Sequence, residues 1–245
     1  MAIALRGLGT TSKVASGNMT PGFAAGHTLD DIHVLLTNQQ DNVSCSVSGW
    51  TNIAAGTGNN GTSNRVEMWA WRDDNVTAAP TVTHTAGGVS NAVILCFSGV
   101  DNTFTVGAAG AGSIFRDVQK QTGNSQTTVT APALTGVVSG DMRGFFGEFT
   151  VNDTSGTTTN NWGTVTGWTE DRDDCSALTG AWASSFGVDH LAATGSAGSV
   201  SSTVGWVGGF VSWQWQAIQF ALAIDAGGGA ASGPVFTPHR MPLGV

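Results

Sequence analysis

The segment "RVEMWAW" (65–71) holds the residues best suited to chemistry in this chain. Read as a strand, it puts Arg65, Glu67, Trp69 and Trp71 on one face and Val66, Met68 and Ala70 on the other. A carboxylate beside two indoles resembles a sugar-binding groove, with Trp69 and Trp71 offered to a glycan. Glycoside cleavage, however, normally takes two carboxyl groups at a set separation. Glu148 is a candidate for the second, and nothing in the sequence places it near Glu67. The plainer expectation is that Glu67 pairs with Arg65 or Arg72 at the rim of a sheet.

Other chemistry-bearing patterns are weaker. "EDRDD" (170–174) concentrates oxygen donors of the kind Ca²⁺ takes, but it lacks the D-x-D-x-D-G spacing of an EF-hand loop, and a solvated acidic loop is expected. "GTGNNG" (56–61) matches the dinucleotide pattern G-x-G-x-x-G, yet the segment after it reads as a strand where that motif needs a helix, so it is expected to be a loop. There is no G-x-S-x-G elbow, P-loop or H-E-x-x-H. His27, His33, His84, His190 and His239 are widely scattered, and His33 and His84, inside strand-like segments, are expected to be hydrogen-bonded structural residues. Cys45, Cys96 and Cys175 are an odd number without C-x-x-C spacing, which predicts buried thiols rather than a disulfide framework or zinc ribbon. The expectation is a protein with no catalytic residues, no cofactor and no metal.

The elements that must position these residues are strands. Only 11% of the 245 residues are charged, against about 25% in typical domains, and Gly (35), Thr, Ser and Asn are abundant. Lys occurs only at 13 and 120 and Glu only at 67, 148 and 170, while β-branched residues recur between Gly/Asn/Ser clusters. An all-β fold follows, a large antiparallel sandwich of jelly-roll type. A net charge of −8 offers no basic footprint for nucleic acid. No apolar run has the length of a signal peptide core or a membrane span, so neither secretion nor a membrane partner is expected.

Two segments, 20–101 and 134–226, share an order of features: a strand, a polar loop, "GWT" (49–51 and 167–169), an aromatic or small-residue strand, a Thr/Ser/Val strand and a long apolar strand. This weak internal repeat pairs "AVILCF" (92–97) with "AIQFAL" (217–222). The first is apolar at both parities, as in a central strand covered on both sides. In "VSWQWQAIQFALAID" (211–225) the apolar set passes from Trp213, Trp215 and Ala217 to Ile218, Phe220 and Leu222. That change predicts a β-bulge or a passage from one covering layer to another, with the tryptophans in the core. Residues 1–226 thus form a body, and 227–245, "GGGAASGPVFTPHRMPLGV", a Gly/Ala hinge followed by an extended segment. That segment is either a disordered tail or an arm that docks on a neighbouring subunit through Val235, Phe236, Met241 and Leu243.

The series formed by "GWT", "VEMWAWR", "TVTHT" and "NAVILCFSGVD", followed by a shorter round ending near "WQAIQFALA", resembles a loose class of phage- and prophage-encoded virion proteins built as large β-sandwiches. "GHTLDD" (26–31) departs from the Gly-Asp-Leu-Leu of that pattern. The resemblance covers most of 20–226 and carries no catalytic residues. It implies a virion structural protein assembled in the host bacterial cytoplasm, a head decoration or cement protein whose partners are the major capsid protein and further copies of itself, as a trimer. The alternatives are a tail-fibre or tail-tip protein binding glycan through Trp69 and Trp71, and a tail-associated polysaccharide-degrading enzyme.

Overall fold

In a computed structural model, which describes residues 2–85, 88–153, 162–177, 181–192, 198–204 and 213–224, the apolar runs between Gly, Asn and Ser clusters are strands. The first half of the chain supplies β1 (Ala4–Leu8), β2 (Ser12–Val14), β3 (Ile32–Gln39), β4 (Ser46–Val47), β5 (Thr51–Asn52), β6 (Gly58–Asn59), β7 (Arg65–Arg72), β8 (Val82–Thr83) and β9 (Ser90–Ser98). The second half supplies β10 (Phe115–Asn124), β11 (Thr128–Ala131), β12 (Met142–Asp153), β13 (Thr169–Ala177), β14 (Ala181–Ala192), β15 (Val200–Thr203) and β16 (Trp213–Leu222). The ladders between these strands are antiparallel. The segment 227–245, with Val235, Phe236, Met241 and Leu243, lies outside the described residues.

Each half of the chain builds one sheet. The first runs β1-β9-β3-β7-β5, with β2 also on β9 and β6 on β7; the second runs β10-β16-β12-β14-β13. The orders correspond position by position, and the threonines of the two Gly-Trp-Thr segments, Thr51 and Thr169, open the edge strands β5 and β13. A jelly roll alternates successive strands between its sheets. Here the chain completes the first sheet before starting the second.

The sheets pack face to face with reversed edges. Lys120 on β10 donates to Thr57 O at 3.0 Å and Asn60 Nδ2 to Gly123 O at 2.7 Å, joining the β5–β6 margin to β10. At the opposite margin Arg172 on β13 donates to Gly9 O at 2.8 Å and to Thr11 Oγ1 at 2.9 Å, and Lys13 pairs with Asp174.

Between the sheets lies the largest apolar cluster, with Val34, Leu36, Leu95 and Phe97 from one side and Phe146, Val188, Ile218 and Phe220 from the other. The opposite face of each sheet is covered as well. The β4–β8 pair and Met19 cover Leu35, Ala92 and Ile94 of the first sheet, while the β11–β15 pair and Trp162 cover Phe145, Phe149 and Trp215 of the second. This accounts for the change of faces in 211–225. β16 pairs with β12 without a bulge from Trp213↔Val151 to Leu222↔Met142. Its odd residues Trp215 and Ala217 enter the outer cluster and its even residues Ile218, Phe220 and Leu222 the inter-sheet core. Trp215 is 1% exposed, a core residue; the side chain of Trp213 lies outside the described residues.

Several rings of the second sheet fit because a neighbouring strand carries glycine. Gly144 stands opposite Phe220, and a Cβ there would lie 2.1 Å from the ring. Gly147 and Gly187 face each other across β12 and β14 and both border the Trp162 indole, where a Cβ would come within 2.6 and 2.8 Å of it. Gly144→Ala should therefore lower stability by about 1–3 kcal/mol through overpacking, read as a thermal midpoint several degrees lower. The loss should shrink in a Phe220→Leu background, where the end of the ring is gone. Phe220→Ala alone should cost about 3–5 kcal/mol.

Candidate functional site

Alternation along β7 puts Arg65, Glu67, Trp69 and Trp71 on the outer face of the first sheet, but these residues do not share a groove. Arg65 Nε donates to Glu67 Oε1 at 2.7 Å, and Glu67 Oε2 accepts the Cys45 backbone N–H at 2.9 Å. Glu67 is 1% exposed and is committed to holding β7 against the covering layer. Trp69 packs on that layer near Leu35 and Val47, with its indole Nε1 buried and unpartnered. Trp71 alone of the four opens onto a cavity of about 220 Å³, lined also by Phe23, Trp50, Asp74 and Pro80. Phe23 and Trp50 are nearly parallel (9°) with centroids 6.4 Å apart, and Trp71 stands 5.6 Å from Phe23 and 5.8 Å from Trp50. Trp50 belongs to the first Gly-Trp-Thr, but sequence pattern placed neither it nor Phe23 at a site; both come from loops whose placement depends on long-range packing.

Beneath these rings the structure gathers three donors. His33 lies opposite Trp71 in the β3–β7 ladder and stacks on it at 5.2 Å. Asp73 follows the last residue of β7, and His27 comes from the loop before β3. Asp73 Oδ2 is 2.5 Å from His27 Nδ1 and 3.2 Å from His33 Nε2, while Asp73 Oδ1 accepts the Asn75 N–H at 2.7 Å. Burial, outweighing the Asp73 contact, holds the pKa of His33 below its ordinary value. Burial would raise Asp73, but the hydrogen bonds from His27, His33 and Asn75 outweigh it and keep the carboxyl below its usual range. The arrangement therefore favours a neutral His33 beside an ionised Asp73.

Glu148 is on a different surface from Glu67. It points between the sheets, 0% exposed, and its Oε2 accepts Asn38 Nδ2 at 3.3 Å and Asn64 Nδ2 at 3.2 Å. Gln216 Nε2 donates to Asn64 Oδ1 at 2.6 Å and extends this internal polar cluster. Burial pushes the Glu148 pKa well above the ordinary carboxyl value. One acid thus lies on the covered outer face and the other inside the sandwich, and the structure does not bring them together.

Residues 170–174 are a strand rather than the expected loop. They belong to the edge strand β13, which pairs with β14 and shifts register between Glu170 and Arg172. The acids are shared out singly: Asp171 takes His190 at 2.8 Å, Asp173 the Trp162 N–H at 3.1 Å, and Asp174 pairs with Lys13. Burial and neighbouring Glu170 push Asp173 up to about 7, and burial pushes Asp189 up to about 6. His84, held by Asp41 at 3.1 Å and Ser90 at 3.3 Å, is a hydrogen-bonded structural histidine. Cys45 and Cys96 are buried free thiols, and the side chain of Cys175 lies outside the described residues. "GTGNNG" starts at the last residue of a short 3₁₀ turn (Ala54–Gly56) and contains the two-residue strand β6 ahead of β7, with Gly61 at φ +63°.

Comparison with known proteins gives no matching family model, no matching curated protein and no matching solved structure.

The raised carboxyls set a pH dependence. A carboxyl whose pKa is raised by folding holds a proton that the unfolded chain releases near pH 4, so its contribution to stability is full below that pH and is lost as pH rises through the folded value. For Asp189 and Asp173 the loss runs from about pH 4 to about 6 and 7. The depressed carboxyls Asp73 and Asp117 act in the opposite sense, and only as pH falls below about 4. Asp173→Asn keeps an acceptor for Trp162 but removes the charge. Thermal melts should show it matching the parent near pH 4 and exceeding it by several degrees at pH 8.

Proposed function

We propose that this chain is a structural protein of a bacteriophage particle, a decoration or cement protein of the head that binds the major capsid protein and further copies of itself. The observation that supports this most is how the body is used up by its own packing. Both faces of both sheets are covered except at the Trp71 and Trp168 margins, the sheet margins are bonded to each other, and Glu67 and Glu148 are sealed on different surfaces. Such a body offers stiffness and an outer surface of loops and edges. It fits the class of phage sandwich proteins that its Gly-Trp-Thr and aromatic-strand pattern resembles.

A decoration protein stabilises a shell by binding its assembled form in preference to free subunits, which shifts the equilibrium by mass action. Closed symmetric oligomers are the common way for one surface to meet a repeating lattice, and a trimer suits three-fold lattice points. In this reading Val235, Phe236, Met241 and Leu243 supply apolar contacts to a neighbour. Quantitative mass spectrometry of purified particles provides the test. Hundreds of copies relative to the major capsid protein are expected, and a chain absent from particles ends the virion reading altogether.

A tail-located glycan binder is the second reading, favoured by the cavity between Phe23, Trp50 and Trp71. Exposed aromatic walls bring large apolar area and bind the apolar faces of sugars well. In this reading Trp50 and Phe23, which share the cavity with Trp71, take the place of Trp69, which packs against the β4–β8 layer. A handful of copies per particle, with glycan-array binding abolished by Trp71→Ala and untouched by Trp69→Phe, would select it over the head assignment.

A further inference from the structure

We propose that His27 Nδ1, His33 Nε2 and Asp73 Oδ2 form a binding site for a divalent transition metal ion, Zn²⁺ being the ion of choice. The ligand atoms of all three lie within 4.8 Å of one another, and this is the one such histidine–cysteine–carboxylate group found among the described residues. Two imidazoles and one carboxylate are a donor set for Zn²⁺ and its neighbours in the first transition row, whereas Ca²⁺ and Mg²⁺ take oxygen almost exclusively.

The geometry is close to what such an ion needs. Zn–ligand distances of about 2.0–2.2 Å in tetrahedral geometry put ligand atoms roughly 3.3–3.5 Å apart. His33 Nε2 already stands 3.2 Å from Asp73 Oδ2, and His27 Nδ1, at 2.5 Å, has only to draw back by about 1 Å. His27 is the residue free to do so, since its side chain is 18% exposed while those of His33 and Asp73 are fully buried. Solvent reaches the site from the His27 side, and three protein ligands leave a fourth position for water or a ligand oxygen.

The surroundings hold the donors ready. The Asn75 N–H fixes Asp73 Oδ1 and so aims Oδ2 at both imidazoles, the kind of outer hydrogen bond that orients a metal-binding carboxylate. Without an ion His33 Nε2–H donates to Asp73 Oδ2; Nδ1 is buried without a partner, so an ion binding at Nε2 shifts the proton to Nδ1 and takes the Nε2 lone pair. Phe23 lies 5.0 Å from the His27 ring and 4.8 Å from that of His33, giving the site an apolar wall. Bound metal would tie the loop carrying Phe23 and His27 to β3 and to the end of β7, beneath the aromatic cavity. The site is independent of where the protein sits in the particle.

The test uses the full-length, untagged chain, stripped with EDTA, dialysed free of chelator and titrated with ZnCl₂ by calorimetry. One ion per chain with micromolar or tighter affinity is expected, with a rise in the thermal midpoint on adding Zn²⁺. His27→Gln, at a half-buried loop position, should weaken binding at least about tenfold and abolish the thermal shift. His84→Gln, which removes the separate pair with Asp41, should change neither. Co²⁺ in place of Zn²⁺ should give the visible bands of a four-coordinate nitrogen/oxygen site in the parent and not in His27→Gln. Absence of saturable Zn²⁺ binding to the parent, or affinity unchanged in His27→Gln, would overturn the proposal.

Discussion

The structure depends on one constraint: two sheets whose central strands are buried on both faces. β3 and β9 have scarcely an exposed side chain between them, and β12 and β16 repeat that character in the second sheet. One face of each sheet can be buried on the other sheet. The remaining face needs a cover of its own, and each half makes one from a two-stranded ladder and its flanking loops. The long excursions between the main strands are therefore covering layers.

The candidate site follows from where that cover stops. Over the first sheet the β4–β8 layer reaches Leu35 and Ile94 but ends before the Trp71 end of the face, and the aromatic cavity and the His27–His33–Asp73 group occupy that margin. The second sheet treats the corresponding margin differently. Arg143 has the place on β12 that His33 has on β3, since Met142 pairs with Leu222 as Ile32 pairs with Phe97. Its guanidinium lies 4.8 Å over the ring of Trp168, the tryptophan of the second Gly-Trp-Thr, in another surface depression. The same framework thus carries an aromatic and histidine end in one half and an arginine–tryptophan end in the other.

How much of this was legible in the sequence depended on the range of the interaction. Alternation within β7 placed Glu67 beside Arg65, and the unbroken apolar run of β9 marked it as a central strand, because those patterns are written within a few residues. The strand nature of 170–174 was hidden: its charges are satisfied by distant Lys13, Gly9 and Thr11 together with His190 on the neighbouring strand, so a sequence rich in Asp sits at an edge. His27, His33 and Asp73 meet only because a loop folds back over the sheet. Their separations of 46 and 40 residues match no short motif.

The division of the chain into one sheet per half also governs how it is made. The inner face of the first sheet, with Val34, Leu36, Leu95 and Phe97, has its cover completed only when Ile218 and Phe220 follow Phe146 and Val188. At translation rates of about 5–20 residues per second, that face waits on the order of ten seconds on the ribosome. During that interval it is an apolar, strand-rich surface looking for a partner, and a second nascent chain presents the same surface. Synthesis at high copy number therefore sets productive closure within one chain against pairing between chains.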